Sequence, residues 1–178
     1  MSGAFTLQPK IRAVDDSGAM TPEFYRALNK ALASIDGSPL GQMTMQANAT
    51  ATTIAAPSAP VKIEGATALG SLSQKFDHTS NRLTYTGAIN RVLRVSVVAT
   101  MTTTATNRVG LHIYKNGAAV AESAAYMTTD AAGRAQSLVS QALVELATGD
   151  YLEAFAENTT AANNLTATYL SVIADAVN

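Results

Sequence analysis

Two histidines, a scatter of carboxylates and a handful of tyrosines are the side chains here that could do chemistry. His78 lies in the polar, turn-like loop Asp77-His78-Thr79-Ser80-Asn81, and His112 falls on the outward phase of an alternating run, Arg108 to Tyr114. Metal binding and base catalysis need a clustered set of groups, and neither histidine has a second nitrogen ligand nearby in sequence. Both are therefore expected at solvent or at an interface. Asp15-Asp16 and Asp77 offer oxygen ligands for a calcium ion, but no EF-hand spacing surrounds them and a solvated turn suffices. Gly-x-Ser-x-Gly, the phosphate-cradling glycine loop and His-Glu-x-x-His are missing. With 0 cysteines there is neither a thiolate site nor a disulfide framework. The expectation is a protein without catalytic residues, cofactor or metal. Tyr114, Tyr126, Tyr151, Phe155 and Tyr169 could form a carbohydrate-binding face, although such aromatics more often serve a core or an interface. Arg82, Arg91, Arg94, Arg108 and Arg134, with Asp130, Glu145, Asp150 and Glu153, are expected to be solvated or paired between protomers.

Positioning these residues is the task of a β-rich chain of 178 residues. Its centre is Leu143 to Glu157. An alternating run from Leu138 to Val144 ends in Leu146, a turn follows at Thr148-Gly149-Asp150, and a second run leads from Tyr151 to Ala156. Alternation has period two, so a one-residue slip would turn every apolar side chain outward. Two adjacent paired strands, a β-meander, are expected here. From Val61 onward the signals are regular: Val61 to Glu64, Phe76, Arg82 to Thr86, Arg91 to Thr103 with Leu93, Val95 and Val97 on one face, and Arg108 to Tyr114 with Val109, Leu111 and Ile113 inward. Asn116-Gly117 is a type I′ hairpin signal, with Ala118 to Ala125 as the returning strand. Leu165 to Ala174 is the last strand. Eight or nine strands spaced in this way predict an antiparallel sandwich or jelly roll. In the last strand Leu170 and Val172 are assigned to the core face. Leu165, Ala167, Tyr169, Ser171 and Ile173 are assigned to the other.

Before this head come two further segments. Residues 1–38 read as an arm, in which Phe5, Leu7 and Ile11 alternate with polar residues, followed by one helix. Thr21 caps it, Pro22 suits its first position, Glu23 complements its dipole, and Gly37 closes it. Phe24, Leu28, Ala31, Leu32 and Ile35 form an apolar stripe at helical spacing, which packs either on the chain's own head or on a partner. Residues 39–60 are rich in Ala, Thr, Ser and Pro and read as an extended spacer. Met43, Met45 and Ile54 within it could add a short strand or line a stalk. Residues 61–178 form the head.

Composition narrows the partners. The net charge is -1, which supplies no basic footprint for nucleic acid or an anionic membrane. No run of about 18 apolar residues exists to span a bilayer, and Met1 to Gln8 lacks the pattern of a signal peptide. Charged residues make up 14%, against about 25% in typical soluble domains, which suggests surface buried against other chains.

The stretches Phe76-x5-Arg82-x-Thr84-Tyr85-Thr86-Gly87, Leu111-x-Ile113-Tyr114-Lys115-Asn116-Gly117, Leu143-x-x-Leu146-x-x-Gly149-Asp150-x-Leu152 and Tyr169-Leu170-Ser171-Val172-Ile173 together resemble the tumour-necrosis-factor-like jelly roll, shared by the globular head of the first complement component. The resemblance covers about Val61 to Ala174, and it departs where Leu93, Val95 and Val97 replace the aromatic residues usual in the third strand. It implies a homotrimer with the last strand near the threefold axis. Tyr169 then maps toward the axis, with Tyr114 as a second candidate and Leu165 and Ile173 beside Tyr169 in the interface. The segment Asp15-Asp16-Ser17-Gly18 with Thr21-Pro22-x-Phe24-Tyr25-x-x-Leu28 is similar to the anchoring segments that open fibre and spike proteins of tailed bacteriophages. It implies a virion anchor at Thr21, Pro22, Phe24, Tyr25, Leu28, Leu32 and Ile35.

The expectation is a mainly β, TNF-like phage virion structural protein without enzymatic activity. It would be a homotrimeric fibre, spike or decoration on the virion surface, assembled in the host cytoplasm and held to capsid, neck or tail through residues 1–38. One alternative is a host receptor-binding head that recognises a surface glycan or protein. Another is a soluble complement-head-like or cytokine-like ligand.

Overall fold

The computed structural model describes residues 18–35, 37–130 and 133–177. The residues of the arm named above, Phe5, Leu7, Ile11, Asp15 and Asp16, lie outside the described residues. The chain divides into two compact units, 1–37 and 38–178.

The first unit holds helix α1, Pro22–Ile35. The Thr21 hydroxyl accepts the Phe24 N–H at 3.3 Å, and its carbonyl accepts the Tyr25 N–H at 3.0 Å. These contacts satisfy donors that a helix start leaves without partners. Gly37 has φ of 70°, the left-handed conformation of a C-terminal cap.

The second unit is a sandwich of two antiparallel sheets, built among the described residues from twelve strands: β1 Leu40–Met45, β2 Val61–Lys62, β3 Ala68–Leu69, β4 Phe76–Thr79, β5 Arg82–Tyr85, β6 Arg91–Thr103, β7 Arg108–Lys115, β8 Ala118–Ala119, β9 Ala125–Thr128, β10 Gln136–Leu146, β11 Tyr151–Asn158 and β12 Leu165–Ala176. One sheet has five strands in the order β10-β6-β12-β1-β3. The other runs β4-β5-β11-β7-β8, with β2 also pairing β11 and β9 also pairing β7. Their inner faces interleave Met43, Leu93, Val95, Val97, Met101, Leu170 and Val172 with Leu83, Tyr85, Leu111, Ile113 and Leu152 in one buried core.

Four expectations are corrected. First, β10 and β11 do not pair. β10 joins β6 in the five-stranded sheet, while β11 lies between β5 and β7 in the other. The Gly149-Asp150 turn carries the chain across the sandwich. It is pinned by the Gly149 N–H on the Tyr85 carbonyl at 2.8 Å and the Tyr85 N–H on the Asp150 carbonyl at 2.8 Å.

Second, residues 39–60 are not a spacer. β1 pairs along β12 from Leu40↔Asp175 to Met45↔Leu170, and Met43, Met45, Thr52 and Ile54 are buried. The head therefore begins near Ser38, because these apolar side chains fill the same core as the later strands.

Third, β12 changes phase. A register shift between Ala167 and Tyr169 inserts Thr168 as a bulge. Leu165 and Ala167 consequently point into the core together with Leu170, Val172 and Ala174. Asn48 satisfies the bulge: its side-chain amide donates to the Ala167 carbonyl at 2.9 Å and its N–H to the Thr168 carbonyl at 3.2 Å.

Fourth, the return from Asn116-Gly117 is broken. The turn itself is as expected, with φ of 53° and 77°, the values of a type I′ hairpin. β8 then stops after two residues, and a 3₁₀ turn at Ala121–Ser123 follows. The Ser123 hydroxyl accepts the Ile113 N–H at 2.9 Å where a continuous strand would have supplied a carbonyl.

Candidate functional site

The capped end of α1 presents residues of the expected anchor. Phe24 and Thr21 are half-buried, Pro22 is exposed, and Tyr25 and Leu28 are 49% and 37% exposed. The side chains of Leu32 and Ile35 lie outside the described residues.

The two outer faces of the sandwich differ in chemistry. On the five-stranded sheet, register aligns Val139, Val98, Ser171 and Thr44 in one row; Gln141, Ser96, Ile173 and Gln42 in the next; and Leu143, Arg94, Asp175 and Leu40 in a third. Leu143 is 65% exposed, Val92 49%, Val139 48% and Tyr169 36%. Neutral groups fill part of the space between them: Thr100 and Ser137 hydroxyls bond to each other at 2.8 Å, and the Gln141 amide donates to Ser96 at 3.3 Å. The Arg94 guanidinium holds Asp175 at 2.6 Å.

The outer face of the seven-stranded sheet is aromatic and charged. Glu153 is buried and receives Lys62 at 2.8 Å and Arg82 at 2.9 Å. The Arg82 guanidinium also sits 4.3 Å over the Tyr151 ring. Tyr114 stacks on Phe155 with centroids 3.7 Å apart. His112 Nε2 lies 3.0 Å from Glu157 Oε1, and both residues are buried. The Tyr126 ring meets His112 edge-on at 5.7 Å, with the Arg108 guanidinium 4.5 Å over it. A hydrogen bond to Glu157 holds the Tyr126 phenol above its ordinary pKa, and burial does the same for Tyr114. At the end of this face Asp150 takes Lys115 at 2.9 Å, the Ala147 N–H at 2.8 Å and the Asn116 amide at 2.7 Å.

The residues expected at one interface are thus separated. Tyr169 and Ile173 share the outer face of the five-stranded sheet. Leu165 is 1% exposed and belongs to the core. Tyr114 stands on the opposite outer face. Val92, Val139 and Leu143 are additions. For Val139 and Leu143 the signal was legible in β10, where they fall out of phase with the inward Val144 and Leu146. His112 is on the outward phase as expected but buried beneath Tyr126, and His78 lies not in a loop but half-buried in β4, paired with Leu83 and 2.6 Å from the Thr67 hydroxyl. Arg82, Arg94 and Arg134 pair within the chain, with Glu153, Asp175 and Asp130. Among the described residues no three His, Asp or Glu side chains gather into a metal-binding group, and no helix is long and apolar enough to cross a membrane.

No protein-family model matches the chain, and no curated protein matches it. Among solved structures it is similar to murine APRIL at pH 5.0, with a TM-score of 0.52 and 10% identity over 76% of this chain and 98% of that one. It is also similar to PRD1 vertex protein P5, with a TM-score of 0.50 and 12% identity over 79% of this chain and 97% of that one. At such identities the likeness shows the fold alone, a mainly β TNF-like jelly roll.

Proposed function

We propose that the chain is a non-enzymatic structural protein of a tailed-phage virion, a homotrimeric spike, fibre or decoration attached through residues 1–38. One observation carries this reading: the outer face of the five-stranded sheet exposes Leu143, Val139, Val92 and Tyr169 around half-buried Ile173 and Val98, among Ser, Thr and Gln with Glu145 and the Arg94–Asp175 ion pair beside them. A solvated face of a sandwich normally alternates core residues with charged ones, and a contiguous apolar patch marks a contact surface. Closed symmetry lets three copies cover that patch without leaving it open to further addition. The likeness to a vertex protein and the resemblance of residues 15–28 to phage anchoring segments support a place on a particle. The capped α1, with exposed Tyr25 and Leu28, supplies the attachment.

Light scattering on the purified chain tests the assembly. The expected mass is three times the 18.4 kDa chain. Tyr169→Asp combined with Leu143→Asp puts charge into the patch and is expected to yield monomers that keep the β-rich circular dichroism of the parent. A monomeric parent, or a trimer indifferent to both aspartates, contradicts the reading.

A further inference from the structure

We propose that the cleft on the outer face of the seven-stranded sheet, floored by His112 and Glu157 and walled by Tyr126, Tyr114 and Arg108, binds one neutral sugar unit of a glycan. The cleft has a volume of about 770 Å³, and pockets for small ligands run from about 300 to 1,000 Å³. It lies within one protomer, on the face opposite the candidate interface, so it does not depend on trimer formation.

The floor is the first reason. A buried imidazole and carboxylate 3.0 Å apart are costly to desolvate, and an apolar pair would serve the fold as well or better. Gly110 lets them meet: a Cβ there would come within 2.8 Å of Tyr126 and 2.9 Å of both Glu157 and His112. The three polar side chains pack together over this glycine.

The walls are the second reason. Tyr126 is 41% exposed, and its ring is held by Arg108 over its face and His112 at its edge. Tyr114 is fixed by its stack on Phe155. Sugar rings offer patches of C–H to such rings, and their paired hydroxyls both donate and accept. Glu157 accepts, the Arg108 guanidinium donates, and the tyrosine and His112 groups do either. Charge sets the class of sugar. Arg108 and Glu157 cancel, so there is no surplus cation for a phosphate or acidic sugar and no surplus anion for an amine. The rim is also built: the Ser58 N–H donates to the Asn158 carbonyl at 2.9 Å, and the Thr159 N–H to the Arg108 carbonyl at 2.8 Å.

Saturation-transfer NMR on the full chain tests this, with free glucose, galactose, mannose, N-acetylglucosamine and rhamnose at millimolar concentration as probes. Transfer to the ring protons of at least one sugar is expected. Tyr126→Ala and Arg108→Ala, both at exposed positions, should each weaken that sugar about tenfold or more. Tyr151→Ala, an aromatic of the same sheet outside the cleft, should leave it unchanged. Absence of transfer from all five sugars overturns the proposal, as does transfer that survives Tyr126→Ala or falls equally in Tyr151→Ala. Trimer mass is measured separately, so failure here leaves the structural reading standing, and the reverse.

Discussion

Single residues in this protein differ less by type than by which way the backbone turns them. Leu165 and Tyr169 are four positions apart in one strand. Leu165→Ala is expected to cost about 2–5 kcal/mol of folding stability, read by denaturant unfolding, because Leu165 is fully inside the core. Tyr169→Asp should change the mass, and should change unfolding only through the stabilisation that assembly supplies. Asp150 makes a second prediction. Lys115 first, then the Ala147 N–H and the Asn116 amide, lower its pKa from 3.8 to about 2. A carboxylate depressed in the folded state stabilises fully above its unfolded pKa, and that contribution is lost as pH falls through the folded value. Stability should therefore decline between about pH 4 and pH 2, by about 1–2 kcal/mol from this group. Asp150→Asn should flatten that part of the profile in acid titrations of unfolding free energy. An unchanged slope would remove Asp150 from the account.

At the scale of elements, the irregular pieces carry the fold's specificity. The bulge in β12 is sustained from outside the strand by Asn48, whose amide reaches the carbonyls of Thr50, Glu64 and Ala167 at 3.2, 3.1 and 2.9 Å. Asn48→Ala would leave the Glu64 and Ala167 carbonyls without this donor. The expected loss is about 1–3 kcal/mol, with amide exchange quickening first around residues 165–169. If exchange there stays as slow as in β6, the bulge is held by something else. The hairpins follow local rules more closely. Ser80 and Asn81, with φ of 52° and 58°, repeat the Asn116-Gly117 solution between β4 and β5. Helix α1 is likewise local in origin, since its cap, its first-turn acid and its closing glycine lie within Thr21 to Gly37.

For the whole molecule, the decisive question is where the head starts. A chain beginning at Ser38 should fold with the parent's thermal midpoint but fail to join particles, if residues 1–37 are the attachment. One beginning at Val61 lacks β1 and the buried side chains of Met43, Met45 and Ile54, and is expected not to fold at all, as read by loss of cooperative melting. A folded, cooperative Val61 chain would restore the spacer reading of 39–60.

Sequence alone determined what depends on neighbours a few positions away. Period-two alternation marked β6, β7, β11 and most of β12, and named inward residues of β6, β7 and the second half of β12, because a pleated strand half-buried on one side admits no other pattern. Asn-Gly marked a type I′ turn because both positions need positive φ, and Thr21-Pro22 marked the helix start because a helix leaves its first N–H groups without partners. Tertiary structure decided what depends on distant partners. Alternation shows that β10 and β11 are strands without showing which strands they pair with, so the Gly149-Asp150 turn read as a hairpin although it spans the sandwich. One inserted residue at Thr168 reverses the phase of every side chain on one side of it, and only the strand alongside and Asn48, about 120 positions earlier, make that insertion favourable. Glu157 and His112 lie 45 positions apart, so their burial together under Tyr126 follows from the pairing of β11, β7 and β9.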